Sequence, residues 1–109
     1  MTITIFDYGA GNLRSVQNTL AKIGAPYKLV DDAAGLLEAE KIILPGVGHF
    51  GQMLRALDAM RVREAILEQI GKGVPFLGIC LGLQAMFSES EEDSEVKGLG
   101  LFPQKVARF

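Results

Sequence analysis

The stretch "PFLGICLGLQ", residues 75–84, opens at a proline, runs through an apolar segment and reaches Cys80, which has a glycine two residues away on each side. Proline can open a strand but is excluded from the interior of a central one. "FLGI" has no polar position, as befits a strand buried on both faces. Gly78 and Gly82 allow a tight turn, and Leu83, Met86 and Phe87 then fall on one face of a short helix. A buried strand that turns directly into a helix is half of a βαβ unit. It predicts a mainly parallel sheet flanked by helices.

The segments on either side follow the same alternation. "TITIF", residues 2–6, is a β-branched apolar run, and "DYGAGN", residues 7–12, is a turn. Leu13, Val16, Leu20 and Ile23 recur at helical spacing. Gly24 ends that helix and Pro26 opens a second strand, "YKLV". A polar connection, "DDAAGLLEAE", has room for a short helix before a third strand, "KIILP", residues 41–45. Phe50, Met53, Leu54, Leu57 and Met60 mark one amphipathic helix, and Val62, Ile66 and Ile70 another. "SESEEDSE" is an acidic loop, and "LGLFPQKVARF" has the pattern of two short β segments. The expected architecture is α/β and flavodoxin-like, with strands apolar throughout.

Composition narrows the function classes. The chain has 109 residues and a formal charge of −2, with no basic face for nucleic acid and no polybasic stretch for an anionic membrane. No apolar run approaches the ~20 residues that span a bilayer. "MTITIFDYG" lacks the positive start and long apolar run of a signal peptide. A single cysteine forms no internal disulfide, so a reducing cytoplasm is the expected compartment.

In open α/β sheets ligands bind beyond the carboxyl ends of the strands. Three loops belong there: 9–12, 46–51 and the turn at Cys80. "GICLG", residues 78–82, has the form of a nucleophile elbow with cysteine in place of serine. A helix start behind Cys80 lowers its thiol pKa and offers backbone N–H groups to an oxyanion. The bland alternative is a packed core thiol. "PGVGHFG", residues 45–51, lets the backbone approach a ligand closely, and the Val47 N–H is a candidate second oxyanion donor. His49 is the sole histidine. Its place at a helix start disfavours a cation and argues against it as the base. "DYGAGN" lacks the full G-x-G-x-x-G pattern and a P-loop lysine, which argues against nucleotide. It is instead a candidate surface for a partner protein.

Taken in order, these three loops resemble those of the class I, triad-type glutamine amidotransferases. "GICLGLQ" is similar to the family's nucleophile signature and "PGVGHFG" to its oxyanion strand. "DYGAGNLRSV" and "SESEEDSEVKGLGLF" resemble one subgroup, the glutaminase subunits that feed a cyclase in histidine biosynthesis. The resemblance implies that Cys80 is the nucleophile and that the backbone of Val47 and Leu81 forms the oxyanion hole. It implies glutamine binding by Gly48, Gln84 and Glu92, and no metal or organic cofactor. The partner it implies is a (β/α)8-barrel cyclase subunit in a heterodimer, met by Gly9, Gly11, Asn12 and Arg14. The family completes its triad with a histidine and a glutamate well downstream of the cysteine, and no such pair stands between Cys80 and Phe109. Residues 1–109 therefore resemble the N-terminal portion of a single amidotransferase domain, incomplete at its C-terminus and with little or no turnover alone. The alternatives are another amidotransferase of the class, serving aminodeoxychorismate, anthranilate, pyridoxal phosphate or GMP synthesis, or a non-catalytic flavodoxin-like binding module.

Overall fold

The apolar runs become strands and the 3.6-residue stripes become helices. A computed structural model describes residues 2–9, 13–46, 50–80, 82, 85–90 and 97–106, with the backbone alone at Cys80, 87–90 and 102–106. In chain order the elements are β1 (Ile3–Phe6), α1 (Leu13–Lys22), β2 (Tyr27–Val30), α2 (Ala33–Leu37), β3 (Ile42–Gly46), α3 (Phe50–Ala59), α4 (Arg63–Gly71), β4 (Phe76–Cys80), β5 (Phe87–Ser90) and β6 (Phe102–Val106). The first four strands pair in parallel in the order β2-β1-β3-β4, and β5 pairs with β6 as a separate two-stranded ribbon. No described helix is long and apolar enough to cross a membrane.

Handedness explains where the helices lie. Parallel crossovers are almost always right-handed. The step from β1 to β2 runs one way across the sheet, and the steps from β2 to β3 and from β3 to β4 run the other way. So α1 covers one face while α2, α3 and α4 cover the opposite one. Side-chain packing agrees. Ile5 and Ile43 meet Leu13, Val16 and Leu20 of α1. Phe6, Ile42 and Leu44 meet Leu36, Leu54, Leu57 and Ile66 on the other side. Each of those four side chains is fully buried, worth roughly 1.5–3 kcal/mol apiece relative to exposure.

Polar groups inside this core are matched to backbone needs. Gln69 of α4 is 2% exposed. Its side-chain N–H group donates to the carbonyls of Leu36, Leu37 and Ala39, at 2.9, 3.2 and 3.1 Å. The Leu36 and Leu37 carbonyls close α2 and the Ala39 carbonyl lies two residues past it, where no further helical turn follows. At the other end of α2, Asp32 Oδ1 accepts from the Gly35 N–H at 2.7 Å, an N-cap.

The structure corrects the sequence reading in four places. Ile23 lies beyond the end of α1 and is 71% exposed, because the chain turns away at Gly24. Strand β2 is an edge strand with Lys28 and Leu29 exposed, so it is not apolar and buried throughout. Phe87 opens β5 instead of extending a helix after Cys80. The final residues supply one described strand, β6, whose partner β5 lies upstream and runs from Phe87 into the stretch read as acidic loop.

Candidate active site

Cys80 is the last residue of β4, at the carboxyl edge of the sheet. Its partner across the ladder is Gly46, the last residue of β3. The two segments singled out in the sequence, the cysteine turn and the glycine loop, therefore leave the sheet side by side. The loop after β1 leaves from the neighbouring strand at the same edge.

The approach of these segments is close enough to require glycine. A Cβ on Gly82 would lie 1.8 Å from the carbonyl oxygen of Leu44 and 2.8 Å from its carbon. The turn after Cys80 thus rests directly on the backbone of β3. A Cβ on Gly46 would lie 3.0 Å from each of Gly82 N, Met53 Sδ and Tyr8 Oη. Tyr8 comes from the loop after β1, Gly82 from the cysteine turn and Met53 from α3. Gly46 is thus the point where three loop regions and a helix converge. Open α/β sheets bind ligands at a topological switch point, and here that point lies between β1 and β3, from which the chain leaves in opposite directions.

The loop after β1 has its own local lock. Gly9 takes φ +90°, a region open to glycine at little cost. Its N–H donates to Asp7 Oδ1 at 2.9 Å, closing a turn through the aspartate side chain. Gly9 and Arg14, the second residue of α1, are both exposed. Of the other residues predicted from sequence, Val47, Gly48, His49, Leu81, Gln84, Glu92, Gly11 and Asn12 lie outside the described residues.

Three described participants were not singled out from sequence: Tyr8, Gly46 as the convergence point, and Met53. Tyr8 and Met53 are 6% and 2% exposed. Met53 was read only as part of an amphipathic helix, and Tyr8 only as part of the turn 7–12. The signal that could have raised Tyr8 is its place inside a polar, glycine-rich turn, where a buried aromatic has to reach something. Among the described residues no group of His, Cys, Asp and Glu is arranged to hold a metal ion. What this edge offers chemically is a thiol-bearing residue at a strand end, flanked by backbone held open by glycine.

Comparison with known proteins fits this geometry. The family model "Glutamine amidotransferase class-I" matches residues 4–106. An imidazole glycerol phosphate synthase subunit HisH from Syntrophotalea carbinolica is 49% identical over 107 residues, which are 98% of this chain and 52% of that protein. The chloroplastic imidazole glycerol phosphate synthase hisHF of Arabidopsis thaliana is 46% identical over 98% of this chain and 18% of its own length. A crystal structure of a glutamine amidotransferase superposes with a TM-score of 0.82 at 20% identity, covering 97% of this chain and 56% of that one. The chain spans about half the length of the curated HisH relatives it matches.

Proposed function

The chain belongs to the class I glutamine amidotransferases, and we propose that it is the N-terminal portion of a single glutaminase domain, the subunit of imidazole glycerol phosphate synthase that releases ammonia from glutamine for histidine biosynthesis. The observation that carries this reading is the pairing of Cys80 with Gly46 at the carboxyl edge, with Gly82 seated on the Leu44 carbonyl. The names of the similar proteins support the choice of subunit.

The chemistry follows from the parts. Cys80 Sγ attacks the side-chain amide carbon of glutamine, forming a carbon–sulfur bond and turning the carbonyl oxygen into an oxyanion. The backbone N–H groups of Val47 and Leu81 hold that oxyanion. The carbon–nitrogen bond then breaks, and the nitrogen departs as ammonia with the proton given up by the thiol. Water hydrolyses the thioester to glutamate. Gly48 and Gln84 hold the substrate, and the Glu92 carboxylate pairs with its α-ammonium group. The reaction needs a nucleophile, an oxyanion hole and a base, and no metal or organic cofactor. The base is the histidine of a histidine–glutamate pair that lies downstream of Cys80 in the family.

Ammonia passes to a (β/α)8-barrel cyclase subunit in a cytoplasmic heterodimer. Gly9, Gly11, Asn12 and Arg14 form part of the contact surface. The exposure of Gly9 and Arg14 supports this assignment. The test is glutamine hydrolysis by the full-length gene product with its cyclase. Cys80→Ser should lower turnover by at least about 10³-fold, and the 109-residue chain alone should release no measurable glutamate. Undiminished turnover by Cys80→Ser would overturn the reading.

A further inference from the structure

Arg63 and Asp58 both carry the wrong charge for their places. Arg63 is the first residue of α4, at the positive end of the helix dipole, and Asp58 lies in the last turn of α3, at the negative end of its own. Helix stability accounts for neither residue. They pair with each other instead: Arg63 Nε donates to Asp58 Oδ1 at 2.6 Å and a terminal nitrogen to Oδ2 at 3.1 Å. The two side chains are 23% and 53% exposed, and such a pair contributes little by itself.

The rest of the guanidinium explains the arrangement. Its remaining N–H groups donate to the Gly98 carbonyl at 2.5 Å and the Lys97 carbonyl at 2.9 Å, some 34 residues away in sequence. The planar fork of arginine suits this bridging, with one edge on a carboxylate and the rest on two successive carbonyls. Immediately beyond, the Leu99 N–H donates to the Ala85 carbonyl at 2.6 Å and the Leu101 N–H to the Met86 carbonyl at 2.8 Å. Arg63 therefore anchors a short ladder, 97–101 against 85–86, to the α3–α4 junction. Along the chain that ladder directly follows Gln84 on one side, and Glu92 lies five residues before Lys97 on the other.

We propose that Arg63 is a positioning residue for glutamine binding. By fixing residues 97–98 against Asp58, it holds the ladder of 97–101 against 85–86, next to which Gln84 stands in the sequence and from which Glu92 is five residues removed. This rests on the reading of those two residues as substrate-binding groups. Arg63 itself touches no substrate.

The test uses the full-length protein with its cyclase, steady-state glutaminase kinetics and amide hydrogen exchange. Arg63→Ala should raise KM for glutamine about tenfold while kcat stays within about twofold, the signature of lost uniform binding. Exchange at the Leu99 and Leu101 amides should quicken in the same variant. Arg63→Lys should recover little, because an ammonium cannot span carboxylate and two carbonyls together. If Arg63→Ala fails to fold, Asp58→Asn carries the same readouts with a smaller rise in KM. An unchanged KM, or unchanged exchange at Leu99 and Leu101, would overturn the proposal. A parent protein that turns over no glutamine would overturn the functional reading as well, which separates the two failures.

Discussion

At Gly82 the backbone of one segment touches the backbone of another, and there a single methyl group decides whether the two can meet. A Cβ on Gly82 collides with the Leu44 carbonyl at 1.8 Å, an atom fixed in the parallel ladder of β3. Nothing there can rotate away, so β3 or the cysteine turn has to move. Gly82→Ala should cost about 3 kcal/mol in urea unfolding, the upper end for overpacking. Gly71, the last residue of α4, is the control. It is exposed, and an added Cβ meets nothing within 4 Å. Gly71→Ala reduces the freedom of the unfolded chain at no steric cost and should stabilise by about 0.5–1 kcal/mol. The same substitution thus has opposite signs at two glycines. Equal effects would mean that the contact of Gly82 with β3 is not a constraint in solution.

At the level of the element, three helices end alike and one of them departs from the rule. After α1 the Ala25 N–H reaches the Leu20 carbonyl, after α3 Val62 reaches Leu57, and after α4 Val74 reaches Gln69. Each is a Schellman turn, which needs a left-handed residue just past the helix. Gly24 at φ +75° and Gly73 at φ +87° supply it, but after α3 the residue is Arg61 at φ +58°. A non-glycine pays about 1–2 kcal/mol for that conformation. Arg61→Gly should therefore stabilise by about 0.5–1 kcal/mol after the added flexibility of the unfolded chain is subtracted, read as a higher urea midpoint with unchanged slope. These ends also show what the sequence could and could not convey. Gly24 and Gly73 announced their turns. Arg61 did not, because the buried pair Leu57 and Val62 imposes the turn through packing. The strands of the parallel sheet and helices α1, α3 and α4 were legible from periodicity and glycine, as was the convergence of loops on the carboxyl edge, whereas α2 lay in a stretch read as a polar connection with room for a short helix. Phe87 was misplaced because its strand depends on β6, some 15 residues on. The Arg63 bridge was invisible for the same reason: its partners meet only once the chain has folded back.

Across the whole molecule the two faces of the sheet are unequally covered. Among the described residues three helices pack on one face, and α1 alone packs on the other, over β1 and β3. Beyond α1 an open apolar groove remains, lined by Val16, Thr19, Leu20, Ile43, Leu77 and Ile79, with Leu77 55% exposed. The groove borders β4, which has no partner on its outer edge among the described residues. The two edges of the sheet differ in chemistry. The outer strand β2 carries the exposed cation Lys28, a charge of the kind that discourages edge-to-edge pairing. Strand β4, "FLGIC", carries no charge at all. Association of the 109-residue chain should therefore proceed through β4 and the adjoining groove, and not through β2. Light scattering during size-exclusion chromatography should show a mass that rises with concentration. Leu77→Lys places a charge on that face at a half-exposed position, where the cost to folding is small, and should return the chain to a monomer. Lys28→Ala should leave the concentration dependence of the Leu77→Lys variant flat. Undiminished association of Leu77→Lys would mean that a different surface drives it.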